Sequence, residues 1–226
     1  MLLTRTLEPE VMDSEEEARD YDEMGHDAVN AAFCDDLLAL SPDVSPTLDV
    51  GTGTARIPIE LCQRADQARV TAIDLAASMV RLGARNVEHA GLSGAISVEL
   101  VDAKGLPYAD ASFLCVVSNS IVHHIPEPRA VLAEMLRVLA PGGSLFVRDL
   151  FRPDHEATVR KLVARYTGNE TPRQQALLDA SLRAAFTLAE MRELAAAVGL
   201  PPDAVQLTSD RHWTLAHRQA TGPHHD

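Results

Sequence analysis

Apolar and polar positions change their period several times along the chain. Thr47–Val50, Arg69–Leu75, Ile96–Val101, Phe113–Ser118 and Ser144–Asp149 are short runs of Val, Ile and Leu, as strands buried on both faces require. Between them, Ala55–Arg64, Ala77–Ala90 and Pro128–Leu139 carry apolar residues at helical spacing, and Pro141-Gly142-Gly143 closes the last of these. Strands alternating with helices predict a doubly wound α/β fold around a mostly parallel sheet with right-handed crossovers. The rhythm breaks after residue 150. Residues 151–186 hold no convincing strand and are expected to form helices or a lid, Leu188–Val198 is an amphipathic helix, and Val205–Leu207 and His212–Ala216 are two closing strands.

Ahead of the alternation lies a stretch of another kind. Asp13-Ser14-Glu15-Glu16-Glu17 places carboxylates in the first turn of a helix, where the dipole favours them. A second helical stretch covers Val29–Leu40, and Ser41-Pro42-Asp43-Val44-Ser45-Pro46 is a turn cluster that ends it. The expected organisation is an acidic helical N-terminal elaboration over 1–46, then one domain over 47–226 with a helical insertion at 151–186.

Charge narrows the partners. Residues 1–40 hold twelve Asp or Glu against two Arg, so they supply −10 of the net −13. Lys104 and Lys161 are the only lysines in 226 residues, which disfavours nucleic acid as a substrate. No apolar run reaches the ~18 residues of a membrane span and the N-terminus lacks a secretory pattern, so a cytoplasmic chain without membrane contact is expected. Cys34, Cys62 and Cys115 have no metal-type spacing, and core packing is expected for Cys62 and Cys115. No metal site is expected, and the terminal His224-His225 is expected to be a tail. Oligomeric state has no signal here.

Chemistry concentrates at three strand ends. Leu48-Asp49-Val50-Gly51-Thr52-Gly53-Thr54-Ala55 is a glycine turn after the first strand, where a ligand approaches bare backbone. Arg56 stands where the dinucleotide fingerprint has its third glycine, and Asp49 precedes the turn. A carboxylate there repels a pyrophosphate and attracts a cationic amino-acid ligand. Asp74 lies 23 residues after Gly51, near the spacing at which an acid receives ribose hydroxyls. Asp102-Ala103 ends a third strand, and Asp102 either accepts an adenine amino group or forms the turn.

LDVGTGTARIPIEL, VTAIDLAASMV, VDAKGLPYADASFLCVVSNSIVHHI and LAEMLRVLAPGGSLFVRDL, spanning roughly 47–150, resemble class I S-adenosylmethionine-dependent methyltransferases, especially the small-molecule, ubiquinone/menaquinone-type branch. The resemblance implies a Rossmann-like seven-stranded sheet with the last strand antiparallel. It implies S-adenosyl-L-methionine as cofactor, with Asp49, Gly51, Thr52 and Gly53 at its amino-acid end, Asp74 on the ribose, and Leu75 and Met79 among the cofactor-binding residues. Asp102 and Ala103 would frame adenine, Ser118 would line the methionine side, and Tyr21 would close over the cofactor unless it is an exposed helix residue. The family's third turn glycine is Ala55 here. Ser118-Asn119-Ser120-Ile121 replaces the Asn/Asp-Pro-Pro-aromatic run of base and amide methylases, and neither the aspartates of Mg-dependent catechol enzymes nor the paired thiols of arsenite methylation are found.

The expected function is methyl transfer to a small-molecule acceptor by in-line displacement, where positioning and exclusion of water matter most. His123 and His124 are candidate bases or merely shape their loop; Asp149 and Arg152 hold a polar acceptor or steady the lid as a pair. Tyr166, His155 and Asn169 in the insertion are weaker candidates. Two other readings use the same signals: a nicotinamide-dependent oxidoreductase, and a non-catalytic S-adenosylmethionine-binding protein. With nine aromatic residues in the chain, a small polar or aliphatic acceptor is favoured over one needing an aromatic-lined pocket.

Overall fold

A computed structural model describes residues 3–11, 13–24 and 27–221; His224-His225 lies outside the described residues. In chain order the elements are α1 (Glu15–Glu23), α2 (Asp27–Leu40), β1 (Thr47–Val50), α3 (Arg56–Arg64), β2 (Val70–Asp74), α4 (Ala77–His89), β3 (Ile96–Leu100) and β4 (Phe113–Asn119). They continue as α5 (Arg129–Val138), β5 (Leu139–Leu150), α6 (Glu156–Thr167), α7 (Pro172–Ala184), α8 (Leu188–Ala197), β6 (Val205–Leu207) and β7 (His212–Arg218). The seven strands form one sheet in the order β3-β2-β1-β4-β5-β7-β6. β1, β2, β3 and β4 pair in parallel and β6 pairs with β7 antiparallel, so the doubly wound fold is the one expected.

The chain divides into two compact units that interleave along the sequence rather than following one another. One comprises Met12–Asn119, Ala130–Val147 and Ala216–Asp226; the other comprises Met1–Val11, Ser120–Arg129 and Arg148–Leu215. In the first, strand order reverses between β1 and β4, which is where open α/β sheets bind ligands. All four residues of β1 are buried, as a central strand covered on both faces must be. Beneath it Phe33, Leu37, Leu61, Cys34 and Cys115 pack into one apolar cluster, so those two thiols serve as small hydrophobes.

The acidic leader is folded rather than trailing. Ser14 Oγ accepts from the Glu17 amide and Glu17 Oε2 accepts from the Ser14 amide, a reciprocal cap that starts α1. Asp22 then holds Arg56 through two hydrogen bonds of 2.8 and 2.6 Å and also accepts from Asn86 Nδ2. Asp13 Oδ1 accepts the Ser78 amide, satisfying a first-turn donor of α4. The negative charge near the N-terminus therefore has local partners on α3 and α4.

One boundary differs from expectation. β5 begins at Leu139, not at Ser144, and Pro141-Gly142-Gly143 lies inside the strand. Gly142 donates to the Gln219 and Ala220 carbonyls and Gly143 accepts from the Gln219 amide, so the ladder continues through residues that locally read as a breaker. A Cβ at Gly143 would lie 2.8 Å from the carbonyl oxygens of Ala140 and Leu114, and a side chain cannot be placed there without displacing backbone. In the second unit α6 and α7 pack through Val159, Leu162 and Leu182, giving the helical insertion its own small core.

Candidate functional site

The turn after β1 is built by the backbone. Gly51 and Thr52 both donate to the Ile73 carbonyl, and Gly51 and Gly53 have φ of 73° and 56°. Ala55, at the position of the family's third glycine, adopts the same left-handed region at φ 62° and caps α3 without a side-chain bond. Gly83 on α4 permits close packing from behind: a Cβ there would stand 3.3 Å from Gly53 O and Ala55 Cβ.

In front of the turn is a cleft of about 250 Å³, lined by residues that include Tyr21, Asn30, Asp49, Gly51, Thr52 and Asn119. Four buried polar atoms in this lining lack a hydrogen-bond partner: Asp49 Oδ2, Thr52 Oγ1, Thr54 Oγ1 and Asn119 Oδ1. Native interiors leave few such atoms unsatisfied, and four in the lining of one cleft mark a place for a polar ligand. Burial pushes the Asp49 carboxyl up to about 7, with the Asp74 charge adding to the rise. An acid so placed gains most from a cation.

Asp74 stands behind the turn. Its Oδ2 accepts from the Gly53 amide at 2.8 Å and its Oδ1 from the Ala76 amide at 2.9 Å, so it links β2 to both neighbouring loops. Burial holds its carboxyl above the ordinary range against those bonds. Leu75 is exposed at 38 % and Met79 is buried in α4. Asp102 accepts from the Lys104 amide at 2.9 Å, the geometry of the turn-forming alternative. The Ser118 hydroxyl donates to the Val50 carbonyl and is buried, whereas the next residue, Asn119, offers its amide oxygen to the cleft.

The second unit holds a distinct cluster. His123 is buried, its Nδ1 lies 2.5 Å from Asp149 Oδ1, and its amide donates to Asp149 Oδ2. Asp149 also accepts from the Leu150 amide. Burial alone would lower the His123 pKa, but the Asp149 charge and hydrogen bond, with help from Glu8, hold it above the ordinary value. Asp149 is correspondingly lowered: burial would raise it and the His123 partnership prevails. Burial, together with the His123 charge, lowers His124 to about 3.

Arg152 is not Asp149's partner. Its guanidinium donates to the carbonyls of Leu3 and Ala185 and pairs with Glu190 at 2.7 Å, tying three segments of this unit together. Among the weaker candidates, the Tyr166 hydroxyl donates to Asp210, and the Arg211 guanidinium stacks 3.4 Å over the Tyr166 ring. Glu8, which sequence reasoning passed over, brings Oε1 to 3.4 Å from His123 Nε2 and 3.2 Å from His124 Nδ1. It precedes every periodic element, so no spacing could single it out.

Residues 47–143 match a family model described as a methyltransferase domain. A demethylmenaquinone methyltransferase of Porphyromonas gingivalis is 36% identical over 107 residues, 47% of this chain and 44% of that protein. A ubiquinone/menaquinone biosynthesis C-methyltransferase of Geotalea daltonii is 31% identical over 107 residues, 47% of this chain and 46% of that protein. The chain thus spans less than half the length of these curated relatives. In fold, it is similar to a structure described as a putative S-adenosylmethionine-dependent methyltransferase of Methanococcus maripaludis. The TM-score is 0.68 at 14% identity, over 98% of this chain and 100% of that one. Among the described residues no helix is long and apolar enough to cross a membrane.

Proposed function

We propose that residues 47–143, which match a methyltransferase-domain model, form a class I S-adenosylmethionine-dependent methyltransferase of the ubiquinone/menaquinone type, and that the chain transfers a methyl group to a small-molecule acceptor. The observation that carries this reading is the unpartnered Asp49 carboxylate oxygen in a cleft beside a glycine turn. A ligand with a cationic amino-acid end fits such an acid, and a pyrophosphate does not. The fit is therefore to a sulfonium nucleoside and against a dinucleotide.

S-adenosylmethionine, when bound, supplies the electrophilic methyl on its sulfonium. Asp49 would receive the cofactor's ammonium group, with Thr52 and Asn119 as further partners. Asp74, whose carboxylate already orients Gly53, would accept the ribose hydroxyls through its remaining lone pairs. Asp102 and Ala103 would frame adenine, and Tyr21 would cover the cleft. Ser118 acts through Val50, to which its hydroxyl is committed, and shapes the wall.

For the acceptor we assign His123 as general base and Asp149 as the group that orients it. Asp149 fixes the proton on Nδ1 and leaves Nε2 to accept one, the arrangement by which a buried carboxylate prepares an imidazole. His124 meets the carboxylate of Glu8 rather than Asp149 and is held well below the ordinary imidazole range by burial, and Arg152 is committed to holding segments together. The pair suits an acceptor that arrives protonated, such as a hydroxyl.

Calorimetric titration with S-adenosylmethionine, S-adenosylhomocysteine and NADH tests the reading. Binding of the two sulfur compounds alone is expected; binding of NADH alone would overturn it.

Asp49 also makes binding depend on pH. Its folded value of about 7 lies above the ordinary 3.8, so the empty protein holds a proton there between those values. That group's contribution to stability is complete below 3.8 and is lost as the pH rises through about 7. A cationic ligand favours the carboxylate, so binding near pH 6 should release up to one proton. Titrations in buffers of different ionisation enthalpy should reveal the release in the wild type and not in Asp49→Asn. A heat independent of buffer would show that Asp49 does not meet the cation.

A further inference from the structure

Glu8, His123 and His124 each offer one donor atom, and the three atoms lie within 4.8 Å of one another. We propose that they form a binding site for a divalent transition-metal ion of the zinc type. Two imidazole nitrogens and one carboxylate oxygen suit zinc, leaving a fourth position open. With zinc about 2.0–2.1 Å from each ligand, donors at tetrahedral corners stand about 3.3 Å apart, against about 2.9 Å for an octahedral arrangement. The observed edges from Glu8 Oε1 are 3.4 Å to His123 Nε2 and 3.2 Å to His124 Nδ1. They match the tetrahedral spacing.

Two of the three donors are otherwise unexplained. Glu8 Oε1 and His124 Nδ1 are buried and neither has a hydrogen-bond partner, although they lie beside one another. A shared cation satisfies both lone pairs at once. The third donor carries the outer support that metal-bound imidazoles have: His123 Nδ1 sits on Asp149 Oδ1, which leaves Nε2, 3.4 Å from Glu8 Oε1, as the ligand atom.

Glu8 is held to its place by its own segment. Arg5, three residues earlier, donates to the carbonyls of Ala184, Pro126, His123 and Ile125, and its guanidinium lies 3.6 Å over the Phe186 ring. Thr6 donates to the Arg183 carbonyl. A carboxylate on a segment anchored this way is preorganised as a ligand rather than recruited from solvent.

The site goes beyond the proposed reaction and does not depend on it. The two uses of His123 Nε2 exclude each other, because an ion there takes the lone pair that a base needs. Metal binding is therefore a means of switching the base off.

The test is competition for Zn²⁺ between the metal-stripped full chain and a chromophoric chelator. One equivalent should bind to the wild type and to His224→Ala/His225→Ala. Glu8→Ala and His124→Ala should each weaken binding by at least tenfold. Asp149→Asn should do so by about 10–100-fold through the orientation of His123. Far-UV circular dichroism and thermal unfolding establish that each variant is folded. The proposal is overturned if the wild type takes up no zinc, if Glu8→Ala and His124→Ala, both folded, bind as the wild type does, or if binding disappears with the terminal histidines.

Discussion

Replacing His123 by Gln is expected to lower the methyl-transfer rate to a hydroxyl acceptor by about 10²–10⁴-fold, the usual contribution of a positioned base. Gln is the better probe because its amide can still reach Asp149, whereas alanine leaves that buried carboxylate with backbone donors and no imidazole partner. Breaking a buried ion pair in that manner costs about 3–5 kcal/mol, and lost folding would then be mistaken for lost chemistry. The fall should appear in kcat, with S-adenosylmethionine affinity unchanged, since His123 and the cleft residues perform different tasks. Asp149→Asn should fall by a similar factor, because an amide donor facing Nδ1 favours the wrong tautomer. If a folded His123→Gln protein, given an acceptor found by metabolite screening, turns over as the wild type does, His123 is not the base.

What the sequence showed and what it hid follow from the range of the interactions. β1, α3, β2 and α4 are set by local periodicity and lie within a residue of their expected bounds. Asp49 and Asp74 were legible because the glycine turn fixes where β1 ends and the strand spacing fixes the acid that follows. Asn119 was hidden behind Ser118: both lie at the end of β4, and strand alternation turns one hydroxyl to Val50 and the other side chain to the cleft. The start of β5 was hidden for the opposite reason. Pro141-Gly142-Gly143 is a strong local stop, and only pairing with Gln219, far along the chain, overrides it.

The pairing of His123 with Asp149 shows the same limit. Both residues stand out singly, but the sequence sets Asp149 beside Arg152, three residues away, and gives no sign of its partner 26 residues earlier. In space, Arg152 is occupied by Leu3, Ala185 and Glu190. Glu8 was invisible altogether: it lies outside any helix or strand, and long-range bonds from Arg5 and Thr6 give its segment a fixed position. Long-range contacts, not composition, decide what such residues do.

Asp74→Ala should reduce S-adenosylmethionine affinity by about 10²–10³-fold, from two losses that act together. The first is direct: hydrogen bonds between a carboxylate and ribose hydroxyls are charge-assisted and contribute roughly 1.5–3 kcal/mol each. The second runs through the turn, since Asp74 Oδ2 accepts from the Gly53 amide and Oδ1 from the Ala76 amide. Removing the carboxylate leaves both donors seeking a partner and loosens a loop whose Gly53 already sits at φ 56°. Asp74→Asn separates the two losses. Its amide oxygen can keep one backbone bond while its nitrogen cannot accept from a hydroxyl, so an intermediate loss is expected. A folded Asp74→Ala protein that binds S-adenosylmethionine like the wild type would remove Asp74 from the cofactor site. It would confine the residue to bracing the glycine turn.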